Sequence, residues 1–274
     1  MINLIVAIPP EAKPLIRHLR LQKQTYRSFD LFSGKNLRLL VCGVGKLAAA
    51  SACAWLQGLA EQNEGASSAA WLNIGIAGHG YQPLGTGLLA HCVGEHNSNQ
   101  RWYPGFTARP PCPTSALITV EQPETRYLDN ALYDMEASGF YTSCSRFSSI
   151  ELIHSFKVVS DNHFSGIHNI NKNYAEELIS SQLGTIDRII ELLRHTQQQL
   201  AQQQQNPHYL NQCLQHWHFS HYQRQLLRQL LLRRQTLLPA QELWHTDFSG
   251  LKNSRQVLEY LQQQLDTQRV VYEP

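Results

Sequence analysis

The sequence predicts an α/β protein: a three-layer αβα sandwich around a twisted, mixed but mostly parallel sheet, with a helical C-terminal extension. Two observations support this. Short apolar, β-branched runs alternate with helical patterns from residue 2 to residue 193. A glutamine-rich run at 197–205 then separates this part from a tail of different composition. We therefore expect one large domain at 1–195 and a helical extension at 206–274.

The first element is a strand at 2–8, which is largely apolar and suits the centre of a sheet. Pro9 and Pro10 end it and fix the direction of the chain just before Glu11. The carboxylate of Glu11 should therefore project from a rigid strand-to-helix corner, ahead of a helix at 12–19. A first-turn acid can equally serve only to stabilise its helix, so both interpretations of Glu11 stay open.

The next elements are a β-hairpin, with strands at 28–32 and 37–41, and a helix at 47–59. Between them lies Gly43-Val44-Gly45-Lys46. Two glycines let backbone amides approach a ligand, but the motif lacks the remaining residues of a P-loop. We expect this turn to shape a ribose or water pocket.

Strands are predicted at 69–74, 88–93, 116–120 and 156–159, with the small residues 75–80 forming a turn after the first of them. The loop at 94–113 carries Trp102, Tyr103 and Phe106, which could line a pocket or an interface, or pack beneath the loop. An amphipathic helix at 174–193 should close the domain.

Two carboxylates stand at the ends of predicted elements. Glu136 opens a helix in Asp134-Met135-Glu136-Ala137, and Asp161 follows the strand that ends at Val159. Acids at helix starts are commonly caps, and Ser-Asp after a strand commonly forms a turn. However, the carboxyl ends of strands in α/β sheets are also where ligands bind.

Composition excludes several classes. The net charge of +2 does not by itself indicate nucleic-acid binding. The first apolar run is too short for a signal peptide, and no apolar stretch is long enough to cross a bilayer. The six cysteines form no CxxC pair, so we expect buried or partly buried thiols and a cytoplasmic protein without metal or cofactor.

The C-terminal extension has no acidic residue between Glu191 and Glu242, and its leucines at 226–238 recur at helical spacing around Arg234. We expect the leucine face to pack on the main domain or on a second copy of the chain. A nucleic-acid surface is the alternative, because Trp217, Phe219 and Tyr222 interleave with basic residues. Membrane attachment and metal binding by the histidines at 216, 218 and 221 are less favoured.

Four segments together resemble one family. They are residues 5–12, the turn at 42–46, Asn73-Ile74-Gly75-Ile76-Ala77-Gly78, and the stretch from Tyr133 to Asp161. In this order and spacing they are similar to the methylthioadenosine/S-adenosylhomocysteine nucleosidases of the purine nucleoside phosphorylase superfamily. The resemblance covers about residues 2–195 and implies a nucleoside phosphorylase-like fold, a purine nucleoside as substrate and a homodimer.

The resemblance also implies roles for individual residues. Asp161, helped by Ser160, would protonate the purine; Glu136 would hold the ribose; and Glu11 would activate water. The other residues that it implies in substrate binding are Gly45, Ile76, Ala77, Gly78, Met135 and Lys157. The residues themselves add three candidates for substrate binding: Trp102 and Phe106 of the aromatic loop, and Tyr127, which could stack on the base.

Departures from the family pattern leave alternatives open. The arginines that bind phosphate in related phosphorylases have no counterparts here, and neither Arg17 nor Lys46 is sufficient to hold a dianion, which favours hydrolysis over phosphorolysis. Ile76 replaces a hydroxyl residue, Lys157 replaces an arginine, and the segment before Ala116 is shortened. A phosphorylase, or a binding protein that has lost catalysis and uses its basic tail, are therefore the alternatives.

Overall fold

The computed structural model describes residues 1–64, 69–166, 171–204, 207, 209–238, 248 and 250–266, which form two compact units, Met1–Leu200 and Ala201–Pro274. The strands of the first unit are β1 (Ile2–Val6), β2 (Gln22–Gln24), β3 (Asp30–Gly34), β4 (Leu37–Val41), β5 (Ala70–His79), β6 (Gly87–Glu95), β7 (Arg101–Trp102), β8 (Thr114–Thr119), β9 (Ala131–Asp134) and β10 (Ile153–Asp161). Its helices are α1 (Pro9–His18), α2 (Lys46–Glu64), α3 (Ala137–Cys144), α4 (Lys172–Ser181) and α5 (Leu183–Gln204).

The sheet follows the order β10-β6-β8-β9-β5-β1-β4-β3-β2, with β7 beside β6. Because β10 also pairs with β5, the strands β5, β10, β6, β8 and β9 close into a ring. Parallel and antiparallel pairings are equally frequent among the described strands. The mixed sheet was predicted, and its two longest pairings, β5 with β10 and β6 with β8, are parallel. Most of the individual strand pairings were not predicted, because an apolar run identifies a buried strand without specifying its neighbours.

Helices cover the sheet on both faces. Side chains alternate along a strand, and on β1 Ile5 packs with apolar residues of α2 and α3, whereas Leu4 and Val6 pack with those of α1, α4 and α5. All six cysteines are free thiols, buried or half-buried, as predicted. The architecture is therefore a mixed α/β fold with two apolar cores, one on each side of β1.

Several boundaries differ from the sequence predictions. Residues 75–79 continue strand β5 instead of forming a turn, and the strand β9 was missed. The predicted helix at 174–193 is two helices, α4 and α5, which meet at Gln182. Helix α1 begins at Pro9, because proline is well tolerated in a first turn.

The described residues of the second unit form α6 (Leu210–His216), α7 (His221–Leu237) and α8 (Ser254–Asp266). Leu227, Leu230 and Leu231 of α7 are buried in the unit's own core with Val257 and Leu261 of α8. The expectation that this leucine face needs an outside partner is therefore wrong, since α8 lies far enough along the chain to fold back onto it. The parts of the predicted extension at 206, 208, 239–247, 249 and 267–274 lie outside the described residues.

Trp217, Phe219 and Tyr222, the aromatic residues of the nucleic-acid alternative, do not form a common surface. Phe219 is buried in the core, Trp217 packs against Phe248, and Tyr222 is 73% exposed. A stacking platform for nucleic acid needs exposed rings, so this arrangement does not favour one. Among the described residues, no helix combines the length and the apolarity that a membrane span requires.

Candidate active site

A pocket of about 320 Å³ opens where β1, β5, β9 and β10 end. Glu11, Glu136 and Asp161, which are far apart in the sequence, all line it. The other lining residues are Ala7, Ile8, Val44, Ile76, Ala77, Gly78, Val120, Pro123, Glu124, Tyr133, Asp134, Met135 and Ser160. The volume lies within the range of small-molecule sites, and five of the lining residues carry carboxyl groups.

Glu11 is held in one orientation by backbone amides. One carboxyl oxygen accepts hydrogen bonds from the N–H groups of Ala7 (3.0 Å) and Ile8 (3.2 Å), and the other accepts one from Ile76 (2.9 Å). Gly75 makes this possible, because a Cβ atom there would lie 2.8 Å from the Glu11 oxygen. Burial raises the pKa of Glu11, although Lys157 and the three amides oppose the rise. Glu11 thus both supports the first turn of α1 and faces the pocket.

Glu136 stands at the N-cap position of α3 but makes no side-chain capping bond. Asp134 caps the helix instead, accepting a hydrogen bond from the Ala137 N–H (3.0 Å) and another from the Thr119 hydroxyl (2.8 Å). Glu136 accepts the Gly45 N–H (2.8 Å) and turns towards the pocket. Burial, followed by the charge of Asp134, raises the pKa of Glu136 to about 7 against the opposing effect of Lys157.

Asp161 and Ser160 both line the pocket although they are neighbours on β10. In a regular strand, consecutive side chains point to opposite faces. The register of β10 against β5 shifts between Val159 and Asp161, so a local irregularity brings both residues to the same side. The Ser160 hydroxyl donates a hydrogen bond to one oxygen of Asp161 (2.5 Å).

Lys157 does not line the pocket as the sequence predicted. It is 1% exposed and lies within the protein, where its Nζ atom is 2.9 Å from Asp134 Oδ2. Burial lowers the pKa of Lys157, but the charges of Asp134, Glu136 and Glu11 outweigh this effect and raise it overall. The lysine therefore acts as a shared counter-ion for the carboxyl groups of the pocket.

Tyr127 also differs from its predicted role. Its ring does not offer a free face for a base, because it packs edge-to-face against His163 and Tyr133. Its hydroxyl group donates a short hydrogen bond to Asp161 Oδ2. The residue therefore contacts a proposed catalytic group and is absent from the described lining of the pocket.

Three other predicted residues are not among the described lining residues. Gly45 has φ +105° and uses its N–H to hold Glu136, so it acts on the pocket only through that side chain. Trp102 is buried against Tyr141 in one apolar core, and Phe106 stacks on His154 beside the other. The aromatic-rich loop was compatible with a pocket wall or with packing beneath the loop. The structure shows packing, with the two rings on opposite faces of the sheet. Ile76, Ala77, Gly78 and Met135 do line the pocket.

Sequence reasoning missed some lining residues. One of them is Glu124, whose Oε1 accepts hydrogen bonds from the N–H groups of Arg126 (2.7 Å) and Thr125 (2.9 Å), and these bonds lower its pKa. Asp134 lies two positions before Glu136, but nothing in the sequence indicated that it would also line the pocket. Tyr133 lines the pocket, and its hydroxyl group donates a hydrogen bond to Asp129 (3.0 Å).

Cations are absent from the described lining of the pocket. Lys46 forms ion pairs with Glu95 and with Glu121 (3.2 Å), and Arg17 pairs with Glu176 (2.5 Å) at the surface. Within the described parts of the chain, no group of His, Cys, Asp and Glu side chains is arranged to bind a metal ion. The arrangement can therefore exchange protons and stabilise positive charge, but it is poorly suited to hold an anion.

Comparison with known proteins gave matches only at the level of structure. No protein-family model matches the chain. No curated protein sequence matches it.

Solved structures with this fold include a nucleosidase (MTAN) from Helicobacter pylori with 5′-methylthioadenosine in its active site, which is 10% identical with a TM-score of 0.56 over 69% of this chain and 97% of that one. The 5′-methylthioadenosine nucleosidase of Arabidopsis thaliana is 16% identical, with a TM-score of 0.56 over 70% and 95%. The futalosine hydrolase of H. pylori is 10% identical, with a TM-score of 0.55 over 69% and 97%. The chain therefore has the fold of the methylthioadenosine/S-adenosylhomocysteine nucleosidases and of futalosine hydrolase.

Proposed function

We propose that the protein is a purine nucleosidase, which hydrolyses the N-glycosidic bond of a purine nucleoside, with or without a 5′ substituent. The observation that carries this proposal is the convergence of Glu11, Glu136 and Asp161 on one pocket in a fold shared with nucleosidases. Breaking this bond needs an acid for the leaving base, negative charge near the sugar and a base for water. Three carboxyl groups in different surroundings can divide these tasks.

In the proposed reaction, Asp161 gives its proton to N7 of the purine as the bond between the sugar and N9 breaks. Glu136 holds the ribose hydroxyls and stabilises the positive charge that develops on the sugar. With a pKa of about 7, Glu136 is partly protonated near neutrality and can both donate to and accept from hydroxyl groups. Glu11 takes a proton from water as the water oxygen bonds to the anomeric carbon of the sugar. Its raised pKa makes the ionised group a better base.

Water is favoured over phosphate as the nucleophile. The described lining of the pocket contains no lysine or arginine. Besides Glu11 it contains four acidic side chains, which would repel a phosphate dianion: Glu124, Asp134, Glu136 and Asp161. Phosphate sites typically use arginine, lysine or helix N-termini. The nearby Lys157 is already engaged by Asp134 and is fully buried.

The free-base assay tests the proposal. Purified protein is incubated with methylthioadenosine, 5′-deoxyadenosine, adenosine, inosine and futalosine, each with and without phosphate. We expect release of free base from at least one nucleoside at a rate independent of phosphate. Glu136→Gln and Asp161→Asn should lose activity without unfolding, whereas Glu259→Gln, which changes an exposed carboxylate of α8, should not. A folded protein that releases no base from any of the five would refute the proposal, and a strict phosphate requirement would make the protein a phosphorylase.

A further inference from the structure

Both carboxyl oxygens of Asp161 accept hydrogen bonds from hydroxyl groups. Ser160 donates to Oδ1 (2.5 Å), and Tyr127 donates to Oδ2 in a short contact. Tyr127 is 2% exposed and Asp161 is 4% exposed, so water does not compete for this bond as it would at the surface. The carboxyl group is therefore held in one orientation from two sides.

The backbone at Tyr127 is strained to place this hydroxyl. Its φ of +43° is uncommon for a bulky side chain, and such conformations persist where the surroundings fix them. A Cβ atom at Gly78 would lie 2.8 Å from the Tyr127 ring, and one at Gly80 would lie 3.0 Å from the Tyr127 Cβ. The side chain thus lies directly on Gly78, near the end of β5, and on Gly80 just beyond it, and a larger residue at either position would press on Tyr127.

Other titratable groups surround the pair. His163 packs against the Tyr127 ring, Glu124 adds negative charge near the phenol, and Tyr174 experiences the charge of Asp161. Burial raises the pKa of Tyr127, and the hydrogen bond to Asp161 and the Asp161 charge raise it further. Tyr127 therefore keeps its proton throughout the pH range of an assay and acts only as a donor.

We propose that Tyr127 is a positioning residue for the proton donor of the reaction: it orients the Asp161 carboxyl group and stabilises the negative charge left when that group protonates the leaving base. This inference rests on the proposed nucleosidase function. A hydrogen bond to a carboxylate is stronger than one to a neutral carboxyl group, so the contribution of Tyr127 grows as the Asp161 O–H bond breaks and the N7–H bond forms. The phenol proton stays on Tyr127.

The test is the steady-state kinetics of Tyr127→Phe, which keeps the ring on Gly78 and removes only the hydroxyl group. We expect kcat to fall about 10-fold with KM little changed, because the lost hydrogen bond stabilises the transition state more than the bound substrate.

The matched control is Tyr141→Phe, which removes another buried phenol hydroxyl, one that donates to the Ile153 carbonyl (3.1 Å) away from the pocket. It should lower thermal stability and leave kcat and KM unchanged. An unchanged kcat in a folded, active Tyr127→Phe protein would overturn the inference while leaving the nucleosidase proposal intact. Failure of the unmodified protein to cleave any nucleoside would overturn both.

A second measurement does not depend on turnover or on Tyr127→Phe folding well. The hydroxyl proton of Tyr127 should give a downfield proton resonance in the unmodified protein. That resonance should disappear in Asp161→Asn, where the charged acceptor is lost. A spectrum without it, in a folded protein, would remove the contact on which the inference rests.

Discussion

The two units contain ion pairs that differ sharply in their exposure to solvent. In the first, Lys157 and Asp134 form an ion pair whose side chains are 1% and 0% exposed, beside the buried Glu11 and Glu136. In the second, the pair Arg255–Glu259 lies on the surface of α8, with side chains 84% and 55% exposed. Removing charges from water is costly, so a cluster of buried acids around one lysine is an unfavourable way to stabilise a fold. The first unit therefore keeps buried charges that reduce its stability at the place where the proposed chemistry needs them.

The largest effect should come from Asp161→Asn. The amide cannot supply a proton to the base, and loss of a general acid typically costs about 10²–10⁴-fold in rate. Base release measured under saturating substrate, together with a thermal melt, checks this expectation. If the variant retained more than about a tenth of the activity, another group would have to protonate the base.

Removing the buried cation should have the next largest effect. Lys157→Met leaves Asp134 and its neighbouring carboxyl groups without their counter-ion, and we expect a loss of about 3–5 kcal/mol in the free energy of unfolding at pH 8. The matched variant Arg255→Met breaks the exposed pair and should cost about 0.3–0.5 kcal/mol. Urea unfolding of both variants measures the difference, and equal losses would contradict the contrast between the units.

Glu136→Gln should make the protein more stable at pH 8 while removing activity. The pKa of Glu136 rises on folding from 4.5 to about 7, so the folded state binds more protons than the unfolded state between these values. The free energy of unfolding therefore falls as the pH rises through this range, by roughly 3 kcal/mol at 1.36 kcal/mol per unit. The glutamine carries no charge, so the stability of the variant should depend less on pH between 5 and 8 (roughly the window set by these pKa values). Identical pH dependence of the two proteins would contradict this assignment.

The smallest effect concerns the second unit. Ser220 caps α7 by accepting the Gln223 N–H (3.3 Å), and Ser220→Ala should lower the free energy of unfolding by about 1 kcal/mol. The control is Gln225→Ala, at an exposed position within the same helix, which should change stability by less than about 0.5 kcal/mol. Circular dichroism during urea unfolding measures both. A loss above about 2 kcal/mol for Ser220→Ala would show that the residue does more than cap.

The elements near the pocket could be predicted to different extents. The strand before Glu11 and the helix after Glu136 were visible, because apolar runs, prolines and helix-start acids are local signals. The sequence left open that Glu136 only caps its helix. The structure excludes this interpretation, because Asp134 accepts the hydrogen bond from the Ala137 N–H. Spacing alone does not distinguish two acids that are two positions apart.

The failures share a physical cause. Trp102 and Phe106 were placed at the pocket because aromatic loops often line binding sites, yet each ring packs in an apolar core. Lys157 was placed there by its position in a motif, yet its strand carries it beneath the acids. Which way a side chain points depends on strand register, and register depends on partners far away in the sequence.

The sequence by itself determined the α/β character, the change of composition after residue 195 and the identity of three carboxyl groups that line the pocket, because these follow from local periodicity and residue chemistry. Only the tertiary structure decided that β5, β10, β6, β8 and β9 close into a ring, that an irregularity turns Ser160 and Asp161 to the same side, and that Tyr127 holds Asp161. These features arise from pairings between distant segments. Their free energies depend on the whole packed arrangement, so no stretch of the chain carries them alone.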